Sequence, residues 1–237
     1  YPPANNAAMP NAAPSQLSAH PAEIVIATGN PHKVDEIAAI FAGLGLGGLR
    51  LLSLKDLPGS PFPEPAETGD TFEANAAIKA TTYAKLTRRW CLADDSGLEI
   101  DALDGRPGVI SSHYCTDGAE RGMSRAQRDT ANNQRVLREL AEIAPARRAA
   151  RFVCIMTLAD PAGVITARAR GTMEGRIGEP PSVPRGDNGF GYDPIFLVAP
   201  DFNSTSAELD TAEKNRLSHR AHAAAEMAEK LRAMPPA

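Results

Sequence analysis

Apolar side chains first gather at Glu23 to Asn30, EIVIATGN, a short run closed by Gly and Asn. Such a run predicts a buried strand that ends in a tight turn. Behind it, Val34, Ile37, Phe41 and Leu44 recur at intervals of 3, 4 and 3 residues, which is a helical stripe. Asn30 is a good N-cap, Pro31 suits the first helical position, and the Gly-rich segment after Leu44 stops the helix. LRLLSL predicts a second strand. Residues 58–69 are a Pro-rich loop, after which Asp70, with Glu73 three residues on, predicts a capped helix reaching about Thr87. WCLADD predicts a third strand that ends at the Asp94-Asp95 pair. DGRPGVISSHYCTDG reads as loop, and residues 119–142 as a helix whose apolar end is Val136, Leu137 and Leu140. ARFVCIMTLAD and GVITARARGTMEGRI predict two longer strands joined by the turn Asp160-Pro161-Ala162-Gly163. In the second, Val164, Thr166, Arg168 and Arg170 share one face, and Ile165, Ala167 and Ala169 the other. A last helix carries Leu217, Ala221, Ala224, Ala228 and Leu231. Strands and helices mixed throughout predict an α/β or α+β fold.

Composition narrows this picture only a little. Of 237 residues, 43% are apolar and 23% charged, as in an ordinary globular domain. The net charge, 25 − 29 = −4, gives no general pull toward nucleic acid or anionic membrane, so any anion site is local. No apolar run reaches the roughly 20 residues of a membrane span. The Cys residues, Cys91, Cys115 and Cys154, form no CxxC pair. They support neither a disulfide framework nor a zinc site, and a reducing cytoplasm fits them best. Residues 1–22 are rich in Pro, Asn and Ala, and lack both periodicity and the basic and apolar regions of a secretory signal. They are expected to be a disordered extension, leaving residues 23–237 as one domain.

Candidate chemistry lies in the turns. Thr28, Gly29 and Asn30 sit where a strand meets a helix N-terminus, an anion-binding arrangement. Lys33 in the first helical turn needs an anion to face. Asn75 and Lys79, four apart, share a helix face that also turns inward, and Glu67 lies in the loop before it. Asp94 and Asp95 repel, and burial makes that worse, so a solvated turn, a basic partner or a metal must compensate. Alternation along a strand sends the two to opposite faces, one structural and the other toward a cleft. RGDNGFGYDPIF interleaves glycines, which permit close backbone approach, with Phe190 and Tyr192, which can stack on a flat base. AEKNRLSHRAH brings Lys214, His219 and Arg220 near a helix start, with Ser218 as a candidate cap for the final turn. Each cluster alone also fits a purely structural role. Together they supply the cations, carboxylates, glycines and aromatic that a magnesium–nucleoside triphosphate requires.

The segments ATGNPHKVDEI, ETGDTFEANAAIKA, LADDSGLEIDAL, PGVISSHY, FGYDPIF and AEKNRLSHR, in this order, resemble the Ham1/RdgB family of inosine triphosphate pyrophosphatases. The resemblance spans about residues 23 to 233. It implies a long central mixed β-sheet, two α/β lobes with the active-site cleft between them, and a homodimer. It also implies Mg2+-dependent hydrolysis of ITP, dITP and XTP to the monophosphate and pyrophosphate. On matching positions, Thr28, Gly29, Asn30, Pro31, His32, Lys33, Asn75 and Lys79 would bind the substrate, mainly its phosphates. Asp95 would be the catalytic carboxylate, as base or metal ligand, with Ser96 beside it and Glu67 helping to hold the metal. Phe190, Gly191, Tyr192, Asp193, Lys214, His219 and Arg220 would meet base and sugar. The family commonly has Ser-Ala-Arg-Tyr where this chain has Ser111-Ser112-His113-Tyr114. A related pyrophosphatase acting on other bases, of the Maf type, and a non-catalytic nucleotide-binding protein are the competing expectations.

Overall fold

The computed structural model describes residues 21–235 except Asn30 and Gly47, and the side chains of Pro31 and His32 are also outside it. The expected N-cap at Asn30 and the expected extension, but for Pro21 and Ala22, therefore lie outside the described residues.

One sheet organises the chain. Its strands are β1 (Glu23–Ile26), β2 (Arg50–Ser53), β3 (Cys91–Ile100), β4 (Ala149–Ala159), β5 (Ile165–Ile177) and β6 (Phe196–Val198), in the order β2-β1-β3-β4-β5-β6. β1 runs parallel to β2 and β3, and the remaining pairs are antiparallel. The helices are α1 (Pro31–Gly43), α2 (Phe72–Thr87), α3 (Arg125–Glu139), α4 (Thr211–Leu217) and α5 (His219–Arg232).

The long strands β3, β4 and β5 cross from one hydrophobic core into another. Near β1, the stripe of α1 (Ile37, Ile40, Phe41) packs with Ile24, Ile26, Leu92 and Met156 and with α5 through Ala224 and Met227. Farther along the same strands, Leu98, Phe152 and Met173 belong to a second core with Tyr114, Val136, Leu140 and Phe196. On the opposite face, Ala80, Tyr83 and Ala84 of α2 cover Val25, Cys91 and Ala93. Each fully buried Leu, Ile or Phe contributes about 1.5–3 kcal/mol, so these cores hold both lobes to the shared strands. Two glycines permit close approach. A Cβ at Gly171 would meet His219 O at 2.1 Å, and one at Gly97 would meet Ser111 Oγ at 2.4 Å. The first lets α5 lie directly on β5. The second lets the segment 108–111 press on β3, where Ser111 Oγ accepts a hydrogen bond from Leu98 N at 2.9 Å.

The structure corrects several sequence expectations. The third strand does not end at the Asp pair. It runs on to Ile100, because β4 keeps the ladder through Asp94↔Met156, Asp95↔Ile155 and Ser96↔Cys154. Thr71, not Asp70, caps α2, its Oγ1 accepting from Ala74 N at 3.1 Å. Residues 108–116, expected as loop, form short 3-10 turns. α3 is shorter than 119–142 because Ser124 and Gln127 build a capping box at its start. The last helix is two, since Ser218 takes an extended conformation and its side chain caps α5.

Candidate active site

β1 stops where β3 continues, pairing only Val25↔Cys91 and Ile26↔Leu92. The chain after β1 enters α1, which brings Lys33 to Asp94. Strand alternation then divides the Asp pair between two faces, as the sequence predicts.

On one face, Asp94 Oδ2 accepts from Lys33 Nζ and from Ser96 Oγ, each at 2.8 Å, and lies 3.6 Å from Arg220 Nε. Arg220 in turn donates to Glu36 at 3.0 Å and to Ser96 Oγ at 3.2 Å. Two cations thus meet two carboxylates, and the group is neutral. Burial alone would raise the Asp94 carboxyl, but Lys33 and Arg220 outweigh it and hold it well below the usual carboxylate range. Burial opposes the Arg220 charge too, and Glu36 and Asp94 overcome it.

On the other face, Lys79 Nζ donates to Asp95 Oδ1 and to Glu67, each at 3.0 Å. Here one ammonium serves two carboxylates. Burial disfavours the Lys79 charge, yet Asp95, Asp94 and Glu67 raise its pKa above normal. Asp95 is pushed up to about 6, first by burial; Lys79 opposes the shift, and the Glu67 charge adds to it. Asp95 Oδ2 is buried and has no hydrogen-bond partner.

A cleft of about 1320 Å³, lined from both lobes, reaches groups of both faces. Every sequence-predicted site residue whose side chain is described lines it: Thr28, Gly29, Lys33, Glu67, Asn75, Lys79, Asp95, Ser96, Phe190, Gly191, Tyr192, Asp193, Lys214, His219 and Arg220. Asn30 and the side chains of Pro31 and His32 lie outside the described residues. Within the cleft these groups are unlike one another. Asn75 Oδ1 accepts from Gly69 N at 2.8 Å and so fastens the loop carrying Glu67 to α2. Lys214 fastens the glycine-rich loop, donating to Asp193 at 2.8 Å and to Asn188 O at 3.1 Å. Tyr192 is buried, with its hydroxyl donating to Ser111 O at 2.7 Å, whereas Phe190 is half-buried at the cleft. His219 is buried and stacked on Phe152, with ring centroids 5.1 Å apart. Burial and the neighbouring Arg220 charge hold its pKa well below normal, so the ring is neutral. His113 lies at the rim, its Nε2 3.1 Å from Glu120 Oε2.

Sequence reasoning did not find Glu36, Arg125, Arg128 or Asp129, all of which line the cleft. Glu36 carries a usable signal, three residues after Lys33 on one helix face. α3 offers none, because its polar run reads as a solvated surface. In the structure Asp129 accepts from Gly191 N at 3.0 Å and Asn133 donates to Gly191 O at 3.0 Å, tying α3 to the glycine-rich loop.

Fold and cleft together define a mixed α/β protein with a charged cleft between two lobes that share one sheet. The model of the Ham1 family matches residues 24–230, and the chain belongs to that family. It is similar to the dITP/XTP pyrophosphatase of Exiguobacterium sp., with 47% identity over 201 residues, covering 85% of this chain and 92% of that one. Against the dITP/XTP pyrophosphatase of Shouchella clausii the identity is 43%, with 90% and 98% covered. Among solved structures, a HAM1 protein from Coxiella burnetii superposes with a TM-score of 0.73 at 38% identity, covering 89% of this chain and 98% of the other. The nucleoside-triphosphatase / dITP/XTP pyrophosphatase from Mycobacterium abscessus gives 0.65 at 40% identity, with 86% and 97% covered.

Proposed function

We propose that this protein hydrolyses ITP, dITP and XTP at the α–β phosphoanhydride bond, releasing the nucleoside monophosphate and pyrophosphate. One observation carries the reading. The cleft floor holds two carboxylates against a single ammonium, and one buried oxygen, Asp95 Oδ2, lacks a partner. That surplus of negative charge fits a divalent cation, and two carboxylates completed by phosphate oxygens and water suit magnesium. The substrate class is supported by relatives that carry the name dITP/XTP pyrophosphatase.

Glu67 and Asp95 would hold Mg2+, which when bound supplies charge neutralisation and activates water. The residues of the chain do the rest. Lys79 keeps Asp95 Oδ1 occupied and so leaves Oδ2 for the cation or for the proton of the attacking water. Lys33, with Thr28 to His32 at the helix start, would hold phosphate, and its ammonium has donors to spare beyond Asp94. Asn75 keeps the Glu67 loop in place, and Ser96 links Asp94 to Arg220. Phe190 would offer its ring to the purine, while Gly191, Tyr192, Asp193 and Lys214 shape the wall beside it. His219 Nδ1 and Arg220 Nε are both buried without a hydrogen-bond partner. A 6-oxo group gives the Arg220 N–H, and His219 in its Nδ1–H tautomer, an acceptor, whereas the 6-amino group of adenine does not, at about 1–3 kcal/mol for each group left unpaired.

The test is product analysis of ITP, dITP, XTP, ATP and GTP with and without Mg2+. The expected result is pyrophosphate with the monophosphates of the first three, abolished by chelation. Orthophosphate release, or binding without turnover, would overturn the reading. The resemblance also supports a cytoplasmic homodimer without nucleic-acid or membrane partners. Sedimentation of the full chain at the mass of a monomer would remove the dimer from the proposal.

A further inference from the structure

We propose that Arg125 is a further nucleotide-contacting residue, the outer jaw of a clamp that closes on the purine against Phe190. The proposal rests on the reading that a purine enters this cleft. Arg125 Cζ lies 4.4 Å from the centroid of the Phe190 ring, a cation–π contact. It has little else to hold it. Among the described residues its side chain makes no hydrogen bond. Its one carboxylate neighbour, Asp129 Oδ2, is 4.0 Å away and already accepts from Gly191 N. The other arginines of the cleft are committed. Arg128 donates to Met123 O at 3.0 Å, and Arg220 is buried against Glu36. Arg125 therefore stands at the rim with its side chain 43% exposed and its five N–H donors without acceptors.

The geometry around it is that of a hinge at the side chain. Asp129 and Asn133 fix α3 to Gly191, the residue next to Phe190, so the ring and the root of Arg125 keep their spacing. Of the two guanidiniums near the Phe190 ring, Arg220, with Cζ 5.5 Å from its centroid, is buried, whereas Arg125 is exposed on the flank it covers. A base reaching that flank needs the guanidinium lifted by one stacking layer, about 3.5 Å. The arginine side chain can make that movement without a shift of the backbone. The planar guanidinium then rests on the outer face of the base, which exchanges one π surface for another. Stacking of this kind ignores the exocyclic groups, because every base has a π face. Arg125 thus adds affinity for purines in general, and selection between 6-oxo and 6-amino falls to other groups.

The experiment compares wild type with Arg125→Ala, Arg125→Lys and Phe190→Ala, using ITP and ATP as substrates and inorganic tripolyphosphate as a baseless inhibitor. Arg125→Ala is expected to raise KM about 3- to 10-fold for ITP and ATP alike, with kcat within about twofold and tripolyphosphate inhibition unchanged. Arg125→Lys, which keeps the charge but not the plane, is expected to behave as Ala does. An ITP KM that is unchanged or lower in Arg125→Ala overturns the clamp. So does an equal loss of tripolyphosphate inhibition, which would make Arg125 a phosphate contact, and so does full rescue by Lys. Phe190→Ala separates the two levels of the argument. A raised KM there with none in Arg125→Ala removes the clamp alone, while no change in Phe190→Ala removes the purine platform and the clamp together.

Discussion

Asp94 and Asp95 are neighbours in sequence with opposite surroundings, and their variants should differ accordingly. Each has one buried oxygen without a hydrogen-bond partner, but Asp94 Oδ2 is held among Lys33, Ser96 and Arg220 away from the cleft lining, whereas Asp95 lines the cleft beside Glu67 and Lys79. Asp95→Asn should retain the fold and lower turnover by at least about 100-fold, the loss expected of a base or metal-holding group. Near-normal turnover in the folded variant would take Asp95 out of the chemistry. His219 gives a pH signature. Its folded pKa is depressed by burial, so the unfolded chain binds the extra proton first. The stability it allows is present above the normal His range, near 6.5, and is lost as pH falls below it. Wild type should therefore lose stability more steeply than His219→Gln between about pH 6.5 and 5, as read by denaturant melts. Parallel curves would mean that the ring is already charged or solvated in the folded state.

Legibility varied from element to element for physical reasons. The strand β1 and the helix α1 announce themselves by apolar residues turned to a core, and α2 by the cap signal at its start. The hairpin of β4 and β5 is equally legible, because Asp160 to Gly163 is a strong turn between two apolar runs. β3 was cut short because Asp-Asp-Ser-Gly looks like a turn until its charges are known to be neutralised from both faces, by residues 61 and 16 positions away. Most of the site was readable as turn-located polar clusters. The Arg220–Glu36 pair, 184 residues apart, was not, because no local pattern encodes such a distance. The break between α4 and α5 was missed for a related reason: Ser218 suits a helix start as well as a helix interior. One element contact is especially strict. Gly171 lets the first turn of α5 touch β5, so Gly171→Val should lower stability by at least about 2 kcal/mol, the scale of severe overpacking. It should also weaken substrate binding by displacing His219 and Arg220. A variant with unchanged melting temperature would show that α5 can shift freely.

At the scale of the whole molecule, the cleft is walled by two lobes that share three strands, so a ligand in it braces both. A non-hydrolysable ITP analogue with Mg2+ at 100 times its Kd should stabilise the protein by about 2.7 kcal/mol in a single cooperative transition. Two separate transitions, with only one moved by ligand, would mean that the lobes unfold independently. The neutral cluster of Lys33, Arg220, Asp94 and Glu36 at the cleft wall sets the electrostatics of approach. Lys33 and Arg220 already carry their counter-ions within the fold, as Asp94 and Glu36. A chain of net charge −4 arranged this way casts little long-range field toward a polyanion. Its encounters with a triphosphate are then governed by diffusion and fit, and at these two cations mobile salt has little unpaired charge to screen. With Mg2+ held constant, kcat/KM should change by less than about threefold between roughly 50 and 200 mM monovalent salt. A bare basic groove would lose far more over that range.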